Sequence, residues 1–97
     1  MIQETVTGLP PLEVLRRARE FFETRVPATG AFVERESDRH VVLRGQGGEE
    51  IVIAAAPRPE GGGTRVRGST LLFEQQLGRF FSTLPPAARA EEPGAAA

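Results

Sequence analysis

The sequence predicts an α+β domain: a four-stranded antiparallel sheet with two helices packed on one of its faces, in the order α-β-β-β-β-α. Three observations carry that prediction. An apolar stripe at helical spacing closes the chain, a second amphipathic stretch lies near its start, and four strand-length runs separate them, punctuated by Gly, Pro and short polar turns. At 97 residues the chain makes one small domain, near the lower end of sizes that fold alone. The closing stripe therefore has only those strands to bury itself against.

Residues Ile2 to Thr7 alternate weakly, with Ile2, Glu4 and Val6 on one side, and fit an edge strand or an ordered lead-in over 1–10. Gly8-Leu9-Pro10-Pro11 breaks the chain, and Pro11 suits a first helical turn, where its missing N–H leaves nothing unsatisfied. From Leu12 to Thr24, residues Leu12, Leu15, Ala18 and Phe22 share a face that Val14 and Phe21 widen. The opposite face offers Glu13–Arg17, Arg16–Glu20 and Arg19–Glu23 at i,i+4 spacing, which reads as a solvated charge run rather than a binding site. Pro27 and Gly30 end this helix.

Ala31–Glu36 and His40–Arg44 flank the polar turn Ser37-Asp38-Arg39 and pair as a hairpin. Gly45-Gln46-Gly47-Gly48 turns the chain into Glu49–Ala56, and the loop Pro57 to Gly63 leads to Thr64–Ser69. Short connections make these four strands antiparallel neighbours in the order 1-2-3-4. The closing helix runs to Leu84, with Ser69 or Thr70 as its cap and Phe73, Leu77, Phe80, Phe81 and Leu84 as its stripe. Gly78 within it is expected to mark a close approach to the sheet or to another chain. Pro85-Pro86 stops the helix, so the domain is expected over 11–84. The Ala/Glu/Pro tail over 85–97 has nothing to bury, and is expected to be disordered unless a partner holds it.

Strand alternation sorts side chains between two faces. Val33, Val41 and Leu43 fit a core under the helices. Phe32, Glu34, Glu36, His40, Val42 and Arg44 fall on the other side, joined by Arg65 and Arg67. The parity of 49–56 stays open, because Ile51 and Ile53 are apolar on one side and Val52, Ala54 and Ala56 on the other. The second face thus has an apolar centre with a charged rim, the composition of a docking surface. Its candidate partner-binding residues are Phe32, Val42, Arg44, Arg65 and Arg67.

Composition narrows the function classes. A net charge of −1 argues against non-specific nucleic-acid binding and against a polybasic membrane anchor. Arg35, Arg44, Arg65 and Arg67 could line a stripe for RNA. Sheet-type RNA readers stack bases on aromatics, however, and only Phe32 lies on a strand here. There is no Cys, and no apolar run approaches the ~20 residues that span a bilayer. The start Met1-Ile2-Gln3-Glu4 lacks the pattern of a signal peptide, so a cytoplasmic location, or one peripheral to a membrane complex, is expected. All twelve basic residues are Arg, dispersed along the chain, which we read as coding bias in a GC-rich bacterial genome.

No catalytic or metal-binding motif emerges. His40, the only His, neighbours Ser37 and Asp38 within one turn, whereas triads assemble from distant segments. One His with scattered carboxylates does not make a zinc site. The glycines around 45–48 and 61–63 precede strands and not helices, so they read as hairpin loops and not as phosphate cradles. No cofactor is expected.

The segment Pro59-Glu60-Gly61-Gly62-Gly63-Thr64-Arg65-Val66, followed by one strand and a C-terminal amphipathic helix, resembles the closing segment of the START-related helix-grip (SRPBCC) superfamily. The resemblance covers roughly a quarter of the chain, by a hairpin of generic type. It implies a C-terminal helix packed across a curved antiparallel sheet around an apolar ligand, although the strands here are too few to enclose one. The function expected is a non-catalytic accessory subunit, with protein partners in a larger bacterial assembly, docking by the outer sheet face and the chain ends. A membrane-bound respiratory or photosynthetic complex is one natural host, and a homodimer is open. The alternative is a small apolar-ligand carrier of helix-grip type.

Overall fold

The computed structural model describes residues 2–25, 31–59 and 62–86. The expectations resting on Pro27, Gly30 and 87–97 fall outside them. The order of elements is β1 (Ile2–Thr7), α1 (Pro11–Glu20), a π-helical turn (Phe21–Arg25), β2 (Phe32–Glu36), β3 (His40–Arg44), β4 (Glu50–Pro57), β5 (Thr64–Thr70) and α2 (Glu74–Ser82). The architecture is α+β, as the patterning predicts, but the sheet has five strands where four were expected. Its order is β1-β5-β4-β3-β2, antiparallel throughout. The additional strand is Ile2–Thr7, which pairs with β5 along its whole length, from Ile2 opposite Ser69 to Thr7 opposite Thr64.

Both helices cover the same face. α1 lies over β3 and β4, and α2 lies over β5 and β1. Val14, Leu15 and Ala18 of α1 are buried, and the wider π turn carries the consecutive Phe21 and Phe22 into the core as well. Leu12 was expected on that face but is 65% exposed. At 3.6 residues per turn it points about 120° from the centre of the buried residues. Phe80 meets Phe21 and Phe22 at ring separations of 5.6 and 5.7 Å, so one aromatic cluster joins the two helices.

α2 begins later than its stripe suggests. Ser69 and Thr70 belong to β5, and the first helical residue is Glu74. Thr70 Oγ1 accepts the Phe73 N–H at 3.3 Å, a turn that precedes the helix instead of a cap within it. Leu77 and Phe80 are fully buried, Leu84 nearly so, and Phe73 and Phe81 pack at the margin. The close approach to the sheet is at Gly68 of β5, where an added Cβ would sit 2.6 Å from Leu77 Cδ1. At Gly78 it would meet only Gln3 Oε1 at 3.7 Å, an ordinary contact. Two buried threonines, paired across β1 and β5, tie the chain ends to this frame. Thr7 Oγ1 donates to the Pro85 carbonyl and Thr64 Oγ1 to that of Leu9, both at 2.5 Å.

The structure resolves the parity of β4: Ile51, Ile53 and Ala55 face the helices with Val41, Leu43 and Val66. Val52, Ala54 and Ala56 face outward. A bulge in β2 sets Glu34 and Arg35 together opposite Val42 and reverses the alternation beyond it. Glu36, expected on the outer face, therefore lies opposite Val41 on the helix side and pairs with Arg19 of α1. That pairing replaces the expected Arg19–Glu23 contact. Glu23 instead accepts the Val33 N–H at 3.3 Å. The other pairs form, Arg17–Glu13 at 3.0 Å and Arg16–Glu20 at 3.9 Å.

Candidate functional site

Because both helices occupy one face, the outer face of the sheet has no covering element among the described residues. Strand register orders its side chains into rows. Phe32, Arg44 and Glu50 form one. Arg35, Val42, Val52, Ser69 and Ile2 form the next, followed by His40, Ala54, Arg67 and Glu4, and then Ala56, Arg65 and Val6. All five residues singled out from the sequence lie on this face, but their settings differ. Phe32 is half-exposed at the edge strand. Val42 is only 2% exposed, so it belongs to the floor of the face and offers no surface to a partner.

Arg44 is engaged within the molecule. Its Nε and Nη2 donate to the Glu34 carboxylate at 2.9 and 2.8 Å, Nη1 donates to the Gly48 carbonyl at 2.9 Å, and Glu50 lies at 3.4 Å. The two-pronged bond from Arg44 holds the Glu34 carboxyl below its usual range, and Glu34 raises Arg44 in return. Arg67 reaches Glu4 at 3.7 Å across β1. Arg65 has no ion pair among the described residues. Together with Arg39, Arg65 and Arg67 border a shallow depression of about 240 Å³ lined by Ala54, Ala55 and Ala56.

Compared with family models, curated proteins and solved structures, the chain matches none. Its function must be read from its own surfaces.

Sequence reasoning missed two features of this face. Arg39 lies in the β2–β3 turn, where alternation assigns no face, yet it reaches the Ala depression. Leu71 and Leu72, absorbed into a helix by the sequence reading, form the β5–α2 connection and are 84% and 67% exposed. One signal was present. Neither leucine fits the Phe73–Leu84 stripe, so a helix through them would have exposed both.

The turn around His40 is organised, though not as a triad. Ser37 Oγ lies 2.7 Å from His40 Nδ1 and accepts the backbone N–H groups of Arg39 and His40 at 3.1 and 3.2 Å. Two backbone donors thus bond the hydroxyl oxygen, which leaves its O–H to point at Nδ1. Asp38 makes no bond to the ring among the described residues, so Ser37 serves as the hydrogen-bonding hub of a tight turn. No three His, Cys, Asp or Glu side chains converge among the described residues as a metal site needs. No helix of the described residues is long and apolar enough to cross a membrane.

Proposed function

We propose that this chain is a non-catalytic accessory subunit that docks on a larger assembly through the outer face of its sheet. One observation carries the reading: both helices lie on one side, and the opposite side presents Phe32, Val52, Ala54 and Ala56 within a rim of Arg and Glu. A half-solvated sheet usually shows polar residues outward. An apolar floor with a charged border is the anatomy of a recognition surface. Binding through it needs no chemistry from the chain, in keeping with the turn-bound state of Ser37 and His40.

The competing expectation, an apolar-ligand carrier, needs a dry hollow between the Phe-rich helix and the sheet. Leu77, Phe80, Phe22, Ile51 and Ile53 are fully buried together there, so the space is occupied by side chains. The pairing of β1 with β5 beneath α2 supports reading the fold as a shortened helix-grip arrangement without its cavity.

The test is purification of the tagged chain at native expression from its own organism, alongside Phe32→Glu. The wild-type chain is expected in a complex. Phe32→Glu, altering a half-exposed side chain, is expected to keep its circular dichroism and melting temperature while losing the partners. Recovery of the wild-type chain as a free protein would sink the proposal.

A further inference from the structure

Two depressions open along the β4–β5 ribbon, one at each end, and their borders differ in charge. At the end where β4 begins, Glu49, Glu50, Ser69, Leu71 and Leu72 border about 260 Å³. Ile2 and Phe32, each about half exposed, lie at this same end by register with Ser69 and Arg44. Its carboxylates, Glu34, Glu49 and Glu50, outnumber its cations, Arg44 and Arg35. Glu49 has no ion pair among the described residues. Its Oε1 accepts the Gly47 N–H at 3.1 Å.

At the far end lies the Ala depression, bordered by Arg39, Arg65 and Arg67. Here the balance is reversed. Glu4 is the only carboxylate in the row, and Arg39 and Arg65 are without an acidic partner among the described residues. The two ends lie on the order of 17 Å apart along β4, at about 3.4 Å per residue, and Val52 stands between them on the outer face.

A surface that is acidic and apolar at one end, basic and apolar at the other, is complementary to its own copy turned end for end. We propose that the outer face binds a second copy of this chain about a two-fold axis lying in the interface and crossing the strands near Val52. Each copy then sets Arg65 and Arg67 over Glu49 and Glu50 of the other, and Leu71 and Leu72 over the other's Ala54 and Ala56. Two-fold pairing uses the same patch twice, which one self-complementary face supplies. Charge matching of this kind fixes register and disfavours the parallel arrangement, in which like ends would meet. Five strands about 4.8 Å apart and about 20 Å long give a footprint near 500 Å² per copy, below the ~800 Å² per partner of a standard interface. The dimer is accordingly a weak one. The inference rests on the outer face being a docking surface: the second copy covers that face in the free protein, in a contact weak enough to give way to the assembly.

The test is a charge swap read by sedimentation equilibrium of the whole chain from about 10 μM to 1 mM. Wild type is expected to reach twice the chain mass within that range. Arg65→Glu/Arg67→Glu alone, and Glu49→Arg/Glu50→Arg alone, each place like charges at both contacts and are expected to weaken the dimer at least tenfold. An equimolar mixture of the two variants restores opposite charges at both contacts, and should return the dimer. So should one chain carrying all four substitutions. This rescue cannot come from misfolded protein, so poor folding of one variant does not imitate it. A monomeric wild type at 1 mM, a dimer indifferent to either pair of substitutions, or a mixture that stays monomeric overturns the inference. If wild type is monomeric yet Phe32→Glu still loses native partners, the second copy is excluded while the docking reading stands.

Discussion

Gly68 faces Leu77 so closely that a methyl group there would lie 2.6 Å from one Leu77 methyl and 3.0 Å from the other. Leu77 is fully buried, so any shift that makes room for the methyl presses on its core neighbours. Gly68→Ala is therefore expected to destabilise the domain by about 1–3 kcal/mol, the usual range for overpacking. Gly78→Ala should do the opposite. Its added methyl meets only an ordinary contact, and the helix gains up to about 1 kcal/mol from replacing glycine. Urea unfolding of both variants checks the pair. Equal effects of the same sign would show that the helix does not sit on β5 as described.

At the scale of elements, α2 matters through what it buries and not through its own helicity. It is short and starts without a side-chain cap bond, although Glu74 in its first turn suits the helix dipole. Isolated helices of this length are marginal in water. Phe80 contributes most, because it is fully buried and contacts the rings of Phe21, Phe22 and Phe81. Phe80→Ala is expected to cost about 3–5 kcal/mol, most of the stability of so small a domain. Loss of the cooperative thermal transition is the expected result, and a well-folded variant would show that α2 is not central to the core. The sequence stripe marked Phe80 correctly because helical spacing and burial coincide there. It misjudged the start of the helix because Thr64–Thr70 is claimed by pairing with β1 and β4, which leaves Leu71 and Leu72 as a connection.

For the molecule as a whole, surface ion pairs make stability respond to acid. Glu13 accepts from Arg16 at 2.7 Å and Arg17 at 3.0 Å, and these bonds lower its pKa from 4.5 to about 2. Glu34 is lowered by its bonds from Arg44. A carboxylate lowered on folding contributes stability above its unfolded pKa, and loses it as pH falls through the folded value. The melting temperature is therefore expected to decline as pH drops from about 4.5 toward 2. Glu13→Gln should melt slightly below wild type at neutral pH and match it near pH 2. Curves that run parallel over this range would show that the Glu13 pairs do not act in solution. The effect is modest because these groups are solvated and screened by salt.

Periodicity by itself determined the class of the fold, the core face of α1 apart from Leu12, that of β3, and the antiparallel order from β2 to β5, since each depends on spacing within a few neighbouring residues. It placed Phe32, Arg65 and Arg67 on the outer face for the same reason. Only the tertiary structure decided the rest. β4 is apolar on both sides, so alternation could not choose between Ile51 and Val52 until α1 covered one of them. The edge position of Ile2–Thr7 depends on β5 at the other end of the chain, and the turn of Glu36 toward Arg19 depends on a bulge set by β3. The acidic and basic ends of the outer face come from strands brought together by folding. Local sequence carries the period of an element, whereas the identity of its neighbours is settled by long-range pairing and by which faces must leave water.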